Sequence, residues 1–299
     1  MSQKTLEYTL VDGYIHNWLV AGPHSSKDDL LDFDRSKYPV ERDRLQIGEL
    51  QYAWKYQRCE EDHRLVFTTV HPLTNILHGW AYAILQSPAE VEASIEVKAT
   101  GVMRIWLNDT VVFASDGQSD PVQSSIPVKL QETNHLLVKI AATGTGATGA
   151  NFSLRLDLPS TTPSEVKVLI PTKAKFPHRF QALEKLLEFA YLENIVHCRG
   201  DHFNLRWMEE VKDESFVAFS VQDAQEHIYV NGKYAVDAAT PQDIGQTYRL
   251  YERPYWVALS APGREYWEQD LRYTRRIPIH ILDTEYLATP YGSPLQRRQ

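Results

Sequence analysis

Cysteine is scarce in this chain, cationic residues are outnumbered, and no long apolar run occurs. Its 299 residues include two cysteines, Cys59 and Cys198, too few for a disulfide scaffold or a four-cysteine zinc site. Two reduced, buried thiols are the expected state rather than one disulfide. No stretch approaches the roughly eighteen apolar residues of a membrane span. Met1 to Leu10 (MSQKTLEYTL) lacks the apolar core of a signal peptide, so the expected compartment is the cytoplasm. Lys and Arg number 31 against 39 Asp and Glu, a formal charge of −8. A nucleic-acid face needs clustered cations to displace phosphate counterions, so this balance argues against that class of partner. The 43% apolar and 23% charged content is ordinary globular usage and excludes disorder and collagen-like repeats. The length suggests about two domains.

Catalytic signatures are missing as well. The eleven histidines form no HExxH or HxH pair, and no G-x-S-x-G elbow occurs. Gly144, Gly146 and Gly149 (GTGATG) spell the dinucleotide fingerprint, but Ala150 leads into the alternating run NFSLRLDL and not into a helix that could hold a pyrophosphate. A hairpin loop is the better reading. The acidic pairs Asp28-Asp29 and Glu209-Glu210 read as solvated turns, although paired carboxylates could in principle hydrolyse a glycoside.

What is present is strand pattern. Ala93 to Ala99 (ASIEVKA) alternates, and Val102 to Leu107 (VMRIWL) is joined to Thr110 to Ala114 (TVVFA) by Asn108-Asp109, residues that tolerate left-handed backbone and so predict a hairpin. Ser125 to Leu130, His135 to Ala141 and Asn151 to Leu158 continue the pattern, predicting an antiparallel sandwich or jelly roll over residues 1–160. Residues 161–199 read as a linker and one amphipathic helix. Its start is Pro177, suited to a first turn, and its stripe is Phe180, Leu183, Leu187, Ala190 and Tyr191. Strands return over 200–287: His202 to Trp207, Ser215 to Gln222, His227 to Val230, Thr247 to Tyr251, Tyr255 to Ser260 and Arg276 to Leu282. These suggest a second, smaller sandwich of immunoglobulin or fibronectin-III type, with Asn231-Gly232 as its strongest turn signal. Residues 288–299 read as a disordered tail. The fold class is therefore mainly β, two antiparallel sandwiches joined by one helix.

The densest polar cluster is WKYQRCEEDH, Trp54 to His63. On a strand, Arg58, Glu60 and Asp62 would share one face, opposite Cys59, Glu61 and His63. The first set can form charge pairs and the second resembles a weak metal site; the ion-pair reading is the stronger one, and no metal ligand is assigned. Seven tryptophans raise the prospect of sugar stacking, since an indole face suits the apolar side of a pyranose. Trp18, Trp80 and Trp106 sit inside apolar runs and read as core. Trp54, beside Lys55, Tyr56 and Arg58, reads as an exposed platform. The candidate ligand-binding residues are Trp54, Tyr56, Arg58 and Asp62; none is assigned as catalytic.

Three stretches carry a family resemblance. Asn17 to Pro23 (NWLVAGP) resembles the opening strand of N-terminal sandwich modules in large, often glycan-processing, bacterial proteins. The run IWLNDTVVF with IPVKL resembles the galactose-binding-like jelly roll, and Asn134 to Ile140 (NHLLVKI) resembles its N-x-L-x-V-K strand. The hairpin departs from the usual Asn-Gly in having Asn108-Asp109. The resemblance implies a non-catalytic module that binds carbohydrate or orients a downstream catalytic domain, as the N-terminal region of a larger glycan-active enzyme. It implies no cofactor beyond a structural calcium whose ligands cannot be placed. A self-contained glycoside hydrolase and a purely structural interaction module are the alternatives.

Overall fold

The computed structural model describes residues 4–26, 38–47, 50–59, 62–67, 76–115, 122–143, 150–159, 166–174, 177–198, 201–208, 216–223, 227–235, 242–246, 254–260 and 274–282. The chain is mainly β, as expected, with one α-helix among the described residues. It divides into two compact units, Met1–Pro177 and His178–Gln299.

The first unit opens with β1 (Lys4–Thr9), β2 (Asn17–Ser26), β3 (Arg44–Ile47), β4 (Leu50–Ala53), β5 (Lys55–Arg58), β6 (Leu65–Val66) and β7 (Ile76–Gln86). It continues with β8 (Val91–Thr100), β9 (Val102–Leu107), β10 (Thr110–Ser115), β11 (Val122–Leu130), β12 (Thr133–Thr143), β13 (Asn151–Asp157) and β14 (Lys167–Thr172). The larger sheet runs β1-β14-β7-β12-β9-β10, and the smaller runs β11-β8-β13-β6. Strand β7 is long enough to serve two neighbours on one edge: Ile84 to Gln86 pair with β14, and Ile76 to Tyr82 with β2, which pairs in turn with β5. Strand β14, expected inside the connecting segment, thus belongs to the first unit, where all six of its residues also pair with β1. The Gly22-Pro23 of the NWLVAGP run lies at a register shift in β2, where proline has no N–H for the ladder.

Cross-strand register assigns the two faces of the larger sheet. Val20, Ala81, Val138 and Ile105 lie opposite one another on β2, β7, β12 and β9 and share a face with Trp18. Trp18 meets Phe152 of β13 edge-on at 5.3 Å, so this face looks onto the smaller sheet. All five of these residues are buried. The opposite face carries a second row, Tyr56–Leu19–Tyr82–Leu137–Trp106, crossing five strands. Trp80 and Trp106, expected in the core, are indeed buried, but on this outer face, where their rings stack 5.9 Å apart. Lys139 and Arg104 extend over these two rings.

The second unit comprises α1 (Pro177–Glu188), β15 (Ala190–Leu192), β16 (Val196–Cys198), β17 (His202–Trp207), β18 (Phe216–Gln222), β19 (Ile228–Ala235), β20 (Gln242–Gln246), β21 (Pro254–Ser260) and β22 (Thr274–Leu282). Its sheets run β15-β17-β20 and β16-β22-β21-β18-β19, and they share one core with Leu186 and Leu187 of the helix. Two expectations are corrected here. The helix stops at Glu188, and Ala190 to Leu192 form a strand against β17, because Ala190 and Leu192 bury on the sheet at period two. Asn231-Gly232 is not a turn: both residues pair within β19, and a Cβ on Gly232 would lie 2.6 Å from the Phe219 ring. The glycine makes room for an aromatic side chain. The runs 144–149, 247–251 and 288–299 lie outside the described residues.

Candidate functional site

The hairpin at Asn108-Asp109 forms as its residue types suggest. Both residues have positive φ, 49° and 67°, and Leu107 pairs with Thr110 across a two-residue turn. Asn108 also reaches the start of β12. Its Oδ1 accepts from His135 N at 2.8 Å, and its Nδ2 donates to Asn134 Oδ1 at 3.1 Å. Asn134, fully buried, accepts from Gln131 N at 2.8 Å and donates to Gln131 O at 2.7 Å and Leu85 O at 3.3 Å. The two asparagines of the resemblance motifs therefore tie the hairpin to the turn before β12. That tie brings Asp109 and His135 together.

A pocket opens beside them on the outer face of the larger sheet, lined by Tyr38, Pro39, Tyr82, Trp106, Asp109, His135 and Leu137. The Tyr82 hydroxyl and His135 Nδ1 are hydrogen-bonded at 2.7 Å. The Tyr38 ring lies parallel to His135, centroids 3.4 Å apart, and its hydroxyl donates to Asp109 Oδ2 at 3.2 Å. Burial lowers the pKa of His135 against the opposing pull of Asp109, which favours a neutral imidazole. Burial raises the Tyr82 hydroxyl, and burial followed by the Asp109 carboxylate raises that of Tyr38, so both phenols stay protonated. Tyr38 is 37% exposed.

Tyr38 is held by a strap anchored on β14. Val40 N donates to Asp43 Oδ2, and Asp43 N donates to Val40 O. The buried carboxylate of Glu41 accepts from Thr172 Oγ1 at 3.0 Å, Lys173 N at 3.2 Å and Arg42 Nε at 2.8 Å. Lys173 Nζ pairs with Asp43 at 2.6 Å. An ordered strap of this kind keeps the Tyr38 ring over the pocket.

The four residues nominated from the sequence do not converge. Trp54 is 2% exposed, its backbone exchanging hydrogen bonds with Arg42 and Asp43, so its ring is no stacking platform. Local polarity suggests exposure, but the backbone of Trp54 is tied to Arg42 and Asp43 and its side chain is buried. Tyr56 and Arg58 do share the outer face of the larger sheet. Tyr56 accepts from Asn17 Nδ2 at 2.7 Å and stacks on Tyr8. Asp62 is exposed on a turn and pairs with Arg64 at 3.3 Å. The alternation expected across 58–63 fails because β5 ends at Arg58 and His63 takes a φ of 64°. Glu60 and Glu61 lie outside the described residues. Cys59 is a buried thiol whose Sγ donates to Ile15 O at 3.6 Å. Among the described residues no three His, Cys, Asp or Glu side chains group as metal ligands, and no helix is long and apolar enough to cross a membrane.

Sequence reading missed the pocket because its members come from four separated segments. Asp109 and His135 lie inside the IWLNDTVVF and NHLLVKI runs, whose pattern marks fold and not a site. Tyr82 was hidden in an apolar run, and nothing local marked Tyr38.

No protein-family model matches the sequence, nor does any curated protein. Several solved structures align over most of the chain. A β-glucuronidase from Ruminococcus gnavus aligns with 93% of it at 13% identity and a TM-score of 0.28, this chain covering 46% of that one. A glycosyl hydrolase family 2 member from Bacteroides cellulosilyticus aligns with 92% at 13% identity and a TM-score of 0.27, with 36% of that chain covered. A β-D-glucuronidase of Dictyoglomus thermophilum aligns with 93% at 7% identity and a TM-score of 0.25, with 45% covered. The chain spans less than half the length of each of these three proteins.

Proposed function

We propose that this chain is a non-catalytic β-module that binds carbohydrate weakly, serving as an accessory region of a larger glycan-active protein. The supporting observation is the Tyr38–Asp109–His135 arrangement. A partly exposed ring offers an apolar face to the C–H side of a pyranose, and the adjacent carboxylate accepts hydroxyl hydrogens. The pocket lining carries one carboxylate, Asp109, where most glycoside hydrolases use a pair. The jelly-roll and immunoglobulin-like assignments of the two units belong to the same reading, which rests there on the sequence resemblance.

Affinity electrophoresis on a panel of soluble polysaccharides tests it, with Tyr38→Ala and Asp109→Asn beside the parent chain. Asparagine tolerates the positive φ at position 109, so that variant keeps its turn. Retardation of the parent chain, weakened by either substitution, is the expected result. No retardation by any glycan would overturn the reading in favour of a domain-orienting spacer.

A further inference from the structure

A second cluster of titratable groups lies in the first unit, away from the pocket's lining residues, where the chain leaves β5 for β6. His16, 5% exposed, directs Nε2 to His63 Nδ1 at 2.5 Å. The His63 ring lies flat on Tyr14, centroids 4.1 Å apart. The backbone closes at the same point: Cys59 N donates to His16 O at 2.7 Å, and Ile15 N donates to Leu154 O at 3.0 Å. His63 takes left-handed backbone, φ 64°, a region that few residues other than glycine enter but in which histidine is enriched.

The pair accepts its protons in a restricted way. One hydrogen lies between the two facing nitrogens, so one ring donates and the other accepts. His16 Nδ1 is buried and has no hydrogen-bond partner among the described residues. The least costly arrangement leaves Nδ1 bare and places the His16 proton on Nε2, with the His63 proton on its own Nε2. A further proton then has no good position. On His16 Nδ1 it becomes a buried donor without an acceptor. On His63 Nδ1 it meets the His16 Nε2 hydrogen head-on. Arg58 at the end of β5 adds to the penalty, while Asp12, in the turn before β2, offsets part of it. Arg155 of β13 donates to the Asp12 carbonyl and pairs with Glu96.

We propose that His16 and His63 form a proton-operated latch, whose neutral state holds His63 and the Cys59 amide against the chain before β2 and whose protonation releases those contacts. Burial first, then Arg58 and His63, bring His16 from the ordinary 6.5 down to about 4. The open form therefore binds more protons than the closed form between these values. Closure is fully favoured above pH 6.5 and weakens as pH falls toward 4.

Amide hydrogen exchange on the full chain reads the latch at Cys59, with Val138 of β12 as the internal reference. Corrected for intrinsic rates, Cys59 protection should fall roughly twentyfold between pH 7 and pH 5, the ratio that one-proton linkage gives for these two values. Val138 should not follow, and His16→Phe should abolish the fall at Cys59. Equal protection at both pH values, a matching loss at Val138, or a fall that survives in His16→Phe would overturn the proposal. Imidazole nitrogen shifts of the parent chain provide a test that needs no variant: His16 should be neutral at pH 7 with its proton on Nε2. A doubly protonated His16 at pH 7 would also overturn it.

Discussion

Replacing Asn134 with alanine would break the tie between the hairpin and the turn before β12. Four hydrogen bonds are lost: two accepted, from Gln131 N and Asn108 Nδ2, and two donated, to Gln131 O and Leu85 O. At a net value of about 1 kcal/mol each, their loss costs about 4 kcal/mol. Gln131 is exposed, so water recovers part of its share, leaving about 3 kcal/mol. For a unit of this size that corresponds to a melting temperature lower by about 6–12 °C. Thermal unfolding followed by circular dichroism measures the shift, and hydrogen exchange at Val138 assigns it to the first unit. Asn108→Gly is the informative companion, since glycine adopts the positive φ freely and the change removes only side-chain bonds. Because the two asparagines share a bond, the double variant should cost less than the sum of the singles. Melting of Asn134→Ala within about 1 °C of the parent chain would show that the network carries little net stability, and the reasoning would fail.

Gly79→Ala places a Cβ 2.3 Å from the Phe67 ring, which is buried and stacked near Phe152. The expected cost is about 1–3 kcal/mol by chemical denaturation, and Phe67→Leu in the same chain should relieve much of it. Trp54→Ala empties a buried site and should destabilise by about 3–5 kcal/mol. Any loss of glycan binding in that variant should track unfolding, which a denaturation curve run on the same sample separates from a lost contact.

The strands that were legible in the sequence are those bounded by local chemistry. The β9–β10 hairpin followed from Asn108-Asp109 between two apolar runs, and β17 and the β21 core from their alternation. Misreadings arose where two causes leave the same letters. Ala190 and Tyr191 continue a helical stripe, yet Ala190 also fits the two-residue period of the strand they join. Asn-Gly marks a turn when left-handed backbone is needed, but at 231–232 the glycine answers the proximity of Phe219. Polar neighbours suggest that Trp54 is exposed, although it is buried where its backbone pairs with Arg42 and Asp43, earlier in the chain.

Composition and period alone determined the mainly β class, the approximate number of units and the argument against a nucleic-acid-binding role, because these depend on residue types and their local order. Tertiary structure decided which residues meet. Strand β1 pairs with β14 across most of the first unit, and Tyr38, Tyr82, Asp109 and His135 converge from four segments. His16 and His63 are 47 residues apart. Such encounters depend on strand order and register, which arise from burying whole faces at once and leave no signature in any single stretch of sequence.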